Sequence, residues 1–192
     1  MCQCEIEVGS VGAITNDQCT LTHSFVPYAF TTINIISIHS PGNYSTTDLP
    51  PNVHYHQWGL KSSYETNYTP SLYKNITATE MLTFGETQHR LGHEFRVIDI
   101  FKLDCEKCEW STYKDWIGAN IRQIIVEVHG LPSPDGPNEY HHTVQNVTDL
   151  FDAFYDHGFA LYFKEPNVYT RGNCVELGYI KLRSDFWSGG RV

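Results

Sequence analysis

The sequence predicts an α/β domain whose sheet is mainly parallel and is closed at the C-terminal end by an antiparallel hairpin. Three observations lead there. In the second half of the chain, strand-like runs alternate with segments of helical period, as βαβ units do. The runs 97–103 and 124–128 are apolar at most positions, as expected of parallel strands buried on both faces. Between the last two runs, 159–164 and 174–182, stands a loop with Pro166, Gly172 and Asn173 but no helix, so these two should pair antiparallel.

Taken in order, the first 30 residues hold two short apolar pieces. Residues 4–8 alternate and stop at Gly9; residues 19–25 are β-branched and aromatic and stop at Pro27. The stretch 40–75 is rich in Pro, Asn, Tyr, Ser and Thr and reads as loop, apart from a strand over 53–58 that ends at Gly59. Thr79 is the expected N-cap of a helix running to Leu91, with Gly92 just past its end. A short helix is expected over 110–117, and the 124–128 strand is closed by Gly130 and Pro132. Thr148 should cap a helix through Leu150, Phe151, Phe154 and Tyr155, ended by Gly158. The whole reads as a single domain, best patterned over 76–186.

Composition narrows the function. With 192 residues, 41% of them hydrophobic and 14% aromatic, the chain can bury a sizeable core, which excludes a disordered class. Against 22 Asp and Glu stand 13 Lys and Arg, scattered singly, for a net charge of -9. Without a basic face to release counterions, nucleic acid and anionic membrane surfaces are not expected partners. No apolar run approaches the roughly 18 residues of a membrane span. The longest, Ile33 to Ile38, is broken by Asn34 and Ser37. The first residues lack the basic flank and apolar stretch of a signal peptide, so a soluble chain is expected. Six cysteines are too sparse for a disulfide scaffold, whereas four Asn-x-Ser/Thr sequons, at Asn43, Asn67, Asn75 and Asn146, hint at a secretory lumen. Crowding of Asn, Ser and Thr in loops explains the sequons equally well, and localisation stays open.

Ligands of open α/β sheets bind at the carboxyl ends of the strands. After the 97–103 strand come Asp104 and Glu106; at the end of the 124–128 strand stand Glu127 and His129. Each pair would share one side of an extended chain. Three carboxylates and an imidazole on one rim suit proton transfer or metal binding. The competing reading is that they cap the helices that follow.

The string Asp99-Ile100-Phe101-Lys102-Leu103-Asp104-Cys105-Glu106-Lys107-Cys108-Glu109-Trp110 resembles the fourth-strand motif, Lys-Ile-Asp-x-Glu-Gly-x-Glu-Trp, of the FkbM-like and methyltransferase-like branch of class I S-adenosylmethionine-dependent methyltransferases. Weaker matches lie in register around it: 54–60, 91–93, 126–130, 164–167 and 172–176. The resemblance covers roughly residues 50 to 186. It implies a Rossmann-like sheet, S-adenosylmethionine as cofactor, and O-methyl transfer to a small or sugar-like acceptor, a small molecule or a glycan. By position it implies Gly9 and Gly12 as loop glycines against the cofactor, with Phe25 also among the cofactor-binding residues, Gly59 and Leu60 at the adenine, and Asp104, also cofactor-binding, and Glu106 on the methionine or acceptor side. Asp104, Glu106 or His129 would serve as base, with Glu127 orienting His129.

The sequence departs from the family near its start. Only six residues, 13–18, separate the glycines from the 19–25 run, too few for a crossover helix. Val26 stands where the family has a ribose-binding acid, and a valine cannot bond hydroxyls. A truncated or internally shortened first βα unit is therefore expected. The alternative function is a catalytically inactive methyltransferase-fold binding module that has lost the cofactor.

No metal is expected. Cys105-x-x-Cys108 could be a redox pair or a disulfide, and Cys2-x-Cys4 is too tight to serve as a second zinc knuckle. His54, His56 and the pair His141-His142 read as surface histidines, and Trp110 and Trp116 as core anchors.

Overall fold

The computed structural model describes residues 3–9, 32–39, 53–56, 58–64, 80–105, 107–132, 142–167, 173–183 and 186. In chain order the elements are β1 (Gln3–Gly9), β2 (Thr32–His39), β3 (Val53–His56), β4 (Trp58–Leu60), β5 (Glu80–Leu82), α1 (Phe84–Leu91), β6 (Ile98–Asp104), α2 (Cys108–Trp116), β7 (Ile121–His129), α3 (Val144–Asp156), β8 (Phe159–Pro166) and β9 (Cys174–Lys181). A seven-stranded sheet runs β3-β1-β2-β6-β7-β9-β8, and β4 pairs with β5 in a separate two-stranded ribbon. The large sheet is mixed. β1 pairs in parallel with both β2 and β3, and β2–β6 and β6–β7 are also parallel. β9 is antiparallel to both β7 and β8, which is the expected hairpin.

The helices stop and start where their termini are satisfied. Thr83, not Thr79, caps α1: its hydroxyl accepts from the Glu86 N–H at 3.2 Å while Glu86 accepts from the Thr83 N–H at 2.7 Å. This reciprocal capping box serves two orphan amides at once, which frees residues 80–82 to pair with β4. Gly92, at φ 67, closes α1 as expected. Likewise Thr143 and Asn146 form the box that begins α3, and Thr148 lies one turn inside, its hydroxyl donating to the Val144 carbonyl.

One chain of aromatic rings joins the three described helices to one face of the sheet. Phe84 of α1 meets Phe101 of β6, which meets Trp116 of α2. Trp116 meets Phe154 of α3, which stacks on Tyr179 of β9 at 3.8 Å and touches Phe159 of β8 edge-on. Alternation along β6 and β7 sends Phe101, Leu103, Ile124, Val126 and Val128 into this core, all at 1% exposure or less. The same period sends Lys102, Asp104, Glu127 and His129 to the opposite side.

The start of the chain differs from the expected reading. The 19–25 run, with Val26, lies outside the described residues; the second described strand is β2, over the interrupted apolar run 33–38. Residues 10–31, 22 positions, separate β1 from its parallel neighbour β2, so the six-residue crossover does not apply between these strands. Twenty-two residues exceed the dozen or so that a parallel connection needs.

Candidate active site

The carboxyl ends of five adjacent parallel strands form one rim. The register aligns His56 of β3 with Gly9 of β1, Gly9 with Ile38 of β2, and His39 with Asp104 of β6. β7 runs beyond this line and ends in Glu127-Val128-His129.

His129 is the centre of the polar cluster. Its backbone N–H donates to Glu109 Oε1 at 2.7 Å, and its ring Nδ1 lies 3.1 Å from the same oxygen. Glu109 is fully buried, and Trp110 beside it donates from Nε1 to the His129 carbonyl at 2.7 Å. Residue 109 and residue 110 thus grip the end of β7 from the first turn of α2, which explains why both stand together in the motif. With Nδ1–H directed to Glu109, the ring turns Nε2 toward Asp104, whose Oδ1 is 3.7 Å away. The Asp104 side chain is 27% exposed and the His129 side chain only 7%, so Asp104 is the one that faces outward.

Glu127 takes a hydrogen bond from Asn167 Nδ2 at 3.0 Å. The His129 ring donates its hydrogen bond to Glu109, which is part of the motif but was not among the expected site residues. Burial, helped by the nearby charges of Asp104 and Glu176, pushes the Glu127 carboxyl above its ordinary range, against the Asn167 bond and the His129 ring. Lys102 on β6 answers part of this negative charge through Glu176, at 3.2 Å. Cys174 of β9, also absent from the sequence-derived site, is the register partner of His129 and is buried.

The loop from β6 into α2 is tied by a disulfide between Cys105 and Cys108, with Cα atoms 5.4 Å apart. Cys105 Sγ lies 3.5 Å from Glu109 Oε2. Lys107 adopts φ 87, a left-handed conformation, where the resembled motif has glycine. The motif's own residue type therefore fits this backbone better than the one present.

Of the remaining expected site residues, Gly9 lies on the rim at the end of β1. Glu106, Gly12 and Phe25 lie outside the described residues. Gly59 and Leu60 belong to β4, off the large sheet, and the Leu60 side chain is buried in the core. His54 is exposed, and His56 stacks on Trp58 at 4.2 Å. His142, expected on the surface, is half-buried against Trp110 at 4.1 Å, and that burial lowers its basicity.

No helix among the described residues is long and apolar enough to cross a membrane. No curated protein matches the chain. The methyltransferase-domain family matches it over residues 3–181, nearly its whole length, with a mixed α/β structure beneath, and the chain belongs to that family.

Proposed function

We propose that the chain is an S-adenosylmethionine-dependent methyltransferase of class I, Rossmann-like type, close to the FkbM-like branch, acting on an oxygen of a small or sugar-like acceptor. One observation carries this reading: a partly exposed carboxylate, Asp104, backed by the buried His129–Glu109 pair at the carboxyl end of a parallel strand. The groups along the rim suit the cofactor. Gly9 has no Cβ to block approach to the backbone, and the register-paired His39 and Asp104 are of types that bond ribose hydroxyls or an ammonium. When bound, S-adenosylmethionine supplies an electrophilic methyl group.

The chain's own work is to orient the acceptor and remove its proton. Asp104 accepts the hydrogen bond from the acceptor hydroxyl and takes its proton. His129, held by Glu109, stands 3.7 Å behind the Asp104 carboxylate. The Cys105–Cys108 disulfide and the sequons support a parent protein of an oxidising, secretory compartment.

Calorimetric titration of the folded chain with S-adenosylhomocysteine, beside Asp104→Ala, tests the reading. Micromolar binding weakened by the substitution supports it. A folded chain that binds nothing refutes it and leaves an inactive methyltransferase-fold binding module.

A further inference from the structure

We propose that Glu127, His129 and Cys174 form a binding site for one divalent metal ion of the zinc class. One ligand atom from each lies within 4.8 Å of the others. A tetrahedral ion with bonds of about 2.0–2.3 Å sets its ligand atoms about 3.3–3.8 Å apart, so closing the site takes side-chain shifts of about 1 Å.

The secondary structure builds this site. Glu127 and His129 are two residues apart on β7 and share a face. Antiparallel pairing sets Cys174 of β9 directly across from His129, so the thiol joins that face from the neighbouring strand. His129 and Cys174 are 5% and 7% exposed, and Glu127 is half-buried. A thiol, an imidazole and a carboxyl in one partly dry place are a poor set for magnesium or calcium, which take oxygen ligands. They are the set zinc accepts.

The surrounding bonds are those of a metal centre. Metal-binding imidazoles generally donate their second ring N–H to a carboxylate. Here Glu109 lies 3.1 Å from Nδ1, leaving Nε2 as the ligand nitrogen. The Glu127 carboxyl is fixed in turn by Asn167. Asp104 Oδ1, 3.7 Å from His129 Nε2, borders the site, and water can complete it. A cation here also offsets the negative charge of Asp104, Glu109, Glu127 and Glu176, toward which Lys102 supplies an ammonium. Metal binding at Glu127, His129 and Cys174 is read without cofactor or acceptor, so its test is independent of methyl transfer even though His129 also borders Asp104.

The test uses the full chain, dialysed against metal-free buffer and titrated with zinc and with cobalt(II) alone. Elemental analysis should find about one zinc per chain. Cobalt should give tetrahedral absorption with a thiolate charge-transfer band. A variant with serine at Cys2, Cys4 and Cys19, keeping Cys174 and the Cys105–Cys108 disulfide, should retain that band. Cys174→Ser should lose it and weaken zinc binding by at least about tenfold. Absence of metal binding by the folded chain overturns the proposal. So does a thiolate band that disappears from the variant lacking Cys2, Cys4 and Cys19, because the ion would then sit at another thiol.

Discussion

Replacing Glu109 by alanine should destabilise the protein by about 3 kcal/mol. Glu109 is 0% exposed, and its Oε1 accepts from the His129 backbone N–H at 2.7 Å and faces the ring Nδ1 at 3.1 Å. Alanine leaves both donors buried, each costing about 1–3 kcal/mol unpaired. Relief of the buried carboxylate's desolvation offsets part of that, so the net falls at the low end of the about 3–5 kcal/mol for breaking a buried pair. Glu109→Gln keeps an acceptor of the same shape but loses the charge-assisted share of two bonds, and should cost about 1–2 kcal/mol. Urea unfolding followed by tryptophan fluorescence reads both, with constant slope confirming a two-state comparison. Glu94→Ala removes only an exposed contact to His89 and serves as the control, with no measurable change expected. If Glu109→Ala unfolds at the same urea concentration as the Glu94→Ala control, Glu109 does not hold the end of β7 and the reasoning fails.

Phe154→Ala removes the ring that links Trp116, Tyr179 and Phe159, and should cost about 3–5 kcal/mol, lowering the melting temperature by roughly 10 °C; a melting point within a degree of the unsubstituted chain would contradict the packing. Lys107→Gly relieves the φ of 87 and should raise stability by about 0.5–1 kcal/mol, read by the same denaturation; destabilisation would argue against that backbone. Burial raises the Glu127 carboxyl above its ordinary 4.5, so the folded state binds this proton more tightly than the unfolded chain does. That contribution is complete below pH 4.5 and is lost as pH rises through the folded value. With chelator present, the stability of Glu127→Gln relative to the unsubstituted chain should therefore increase with pH, and a flat difference would show that the carboxyl is not perturbed. Asp104→Asn keeps the shape of the side chain but cannot take a proton, and should abolish methyl transfer to any acceptor found while leaving S-adenosylhomocysteine binding within about tenfold; full activity would remove Asp104 from the proton's path.

The sequence alone determined the elements whose signal is local. Two-faced apolar runs marked β6 and β7, Gly92 and Gly158 marked the helix ends, and the helix-free loop between β8 and β9 required a hairpin. The motif around Asp104 marked the end of β6 because it is contiguous. Helix starts were less legible, since Thr79 and Thr83 are both competent caps and only Thr83 has a glutamate three residues on that bonds back. β2 was hidden because Asn34 and Ser37 break the apolar pattern of a strand flanked on both sides by parallel neighbours.

The cluster itself was decided by tertiary structure. Residues 109, 129 and 174 are 20 and 45 positions apart, so no spacing rule connects them. Glu109 reaches His129 because α2 folds back over the end of β7, and Cys174 reaches it because β9 inserts antiparallel beside that strand. Period and capping are properties of neighbours along the chain. Register between strands is fixed by the hydrogen-bond ladder and by the burial of a whole face, and only the folded sheet sets which distant residues meet.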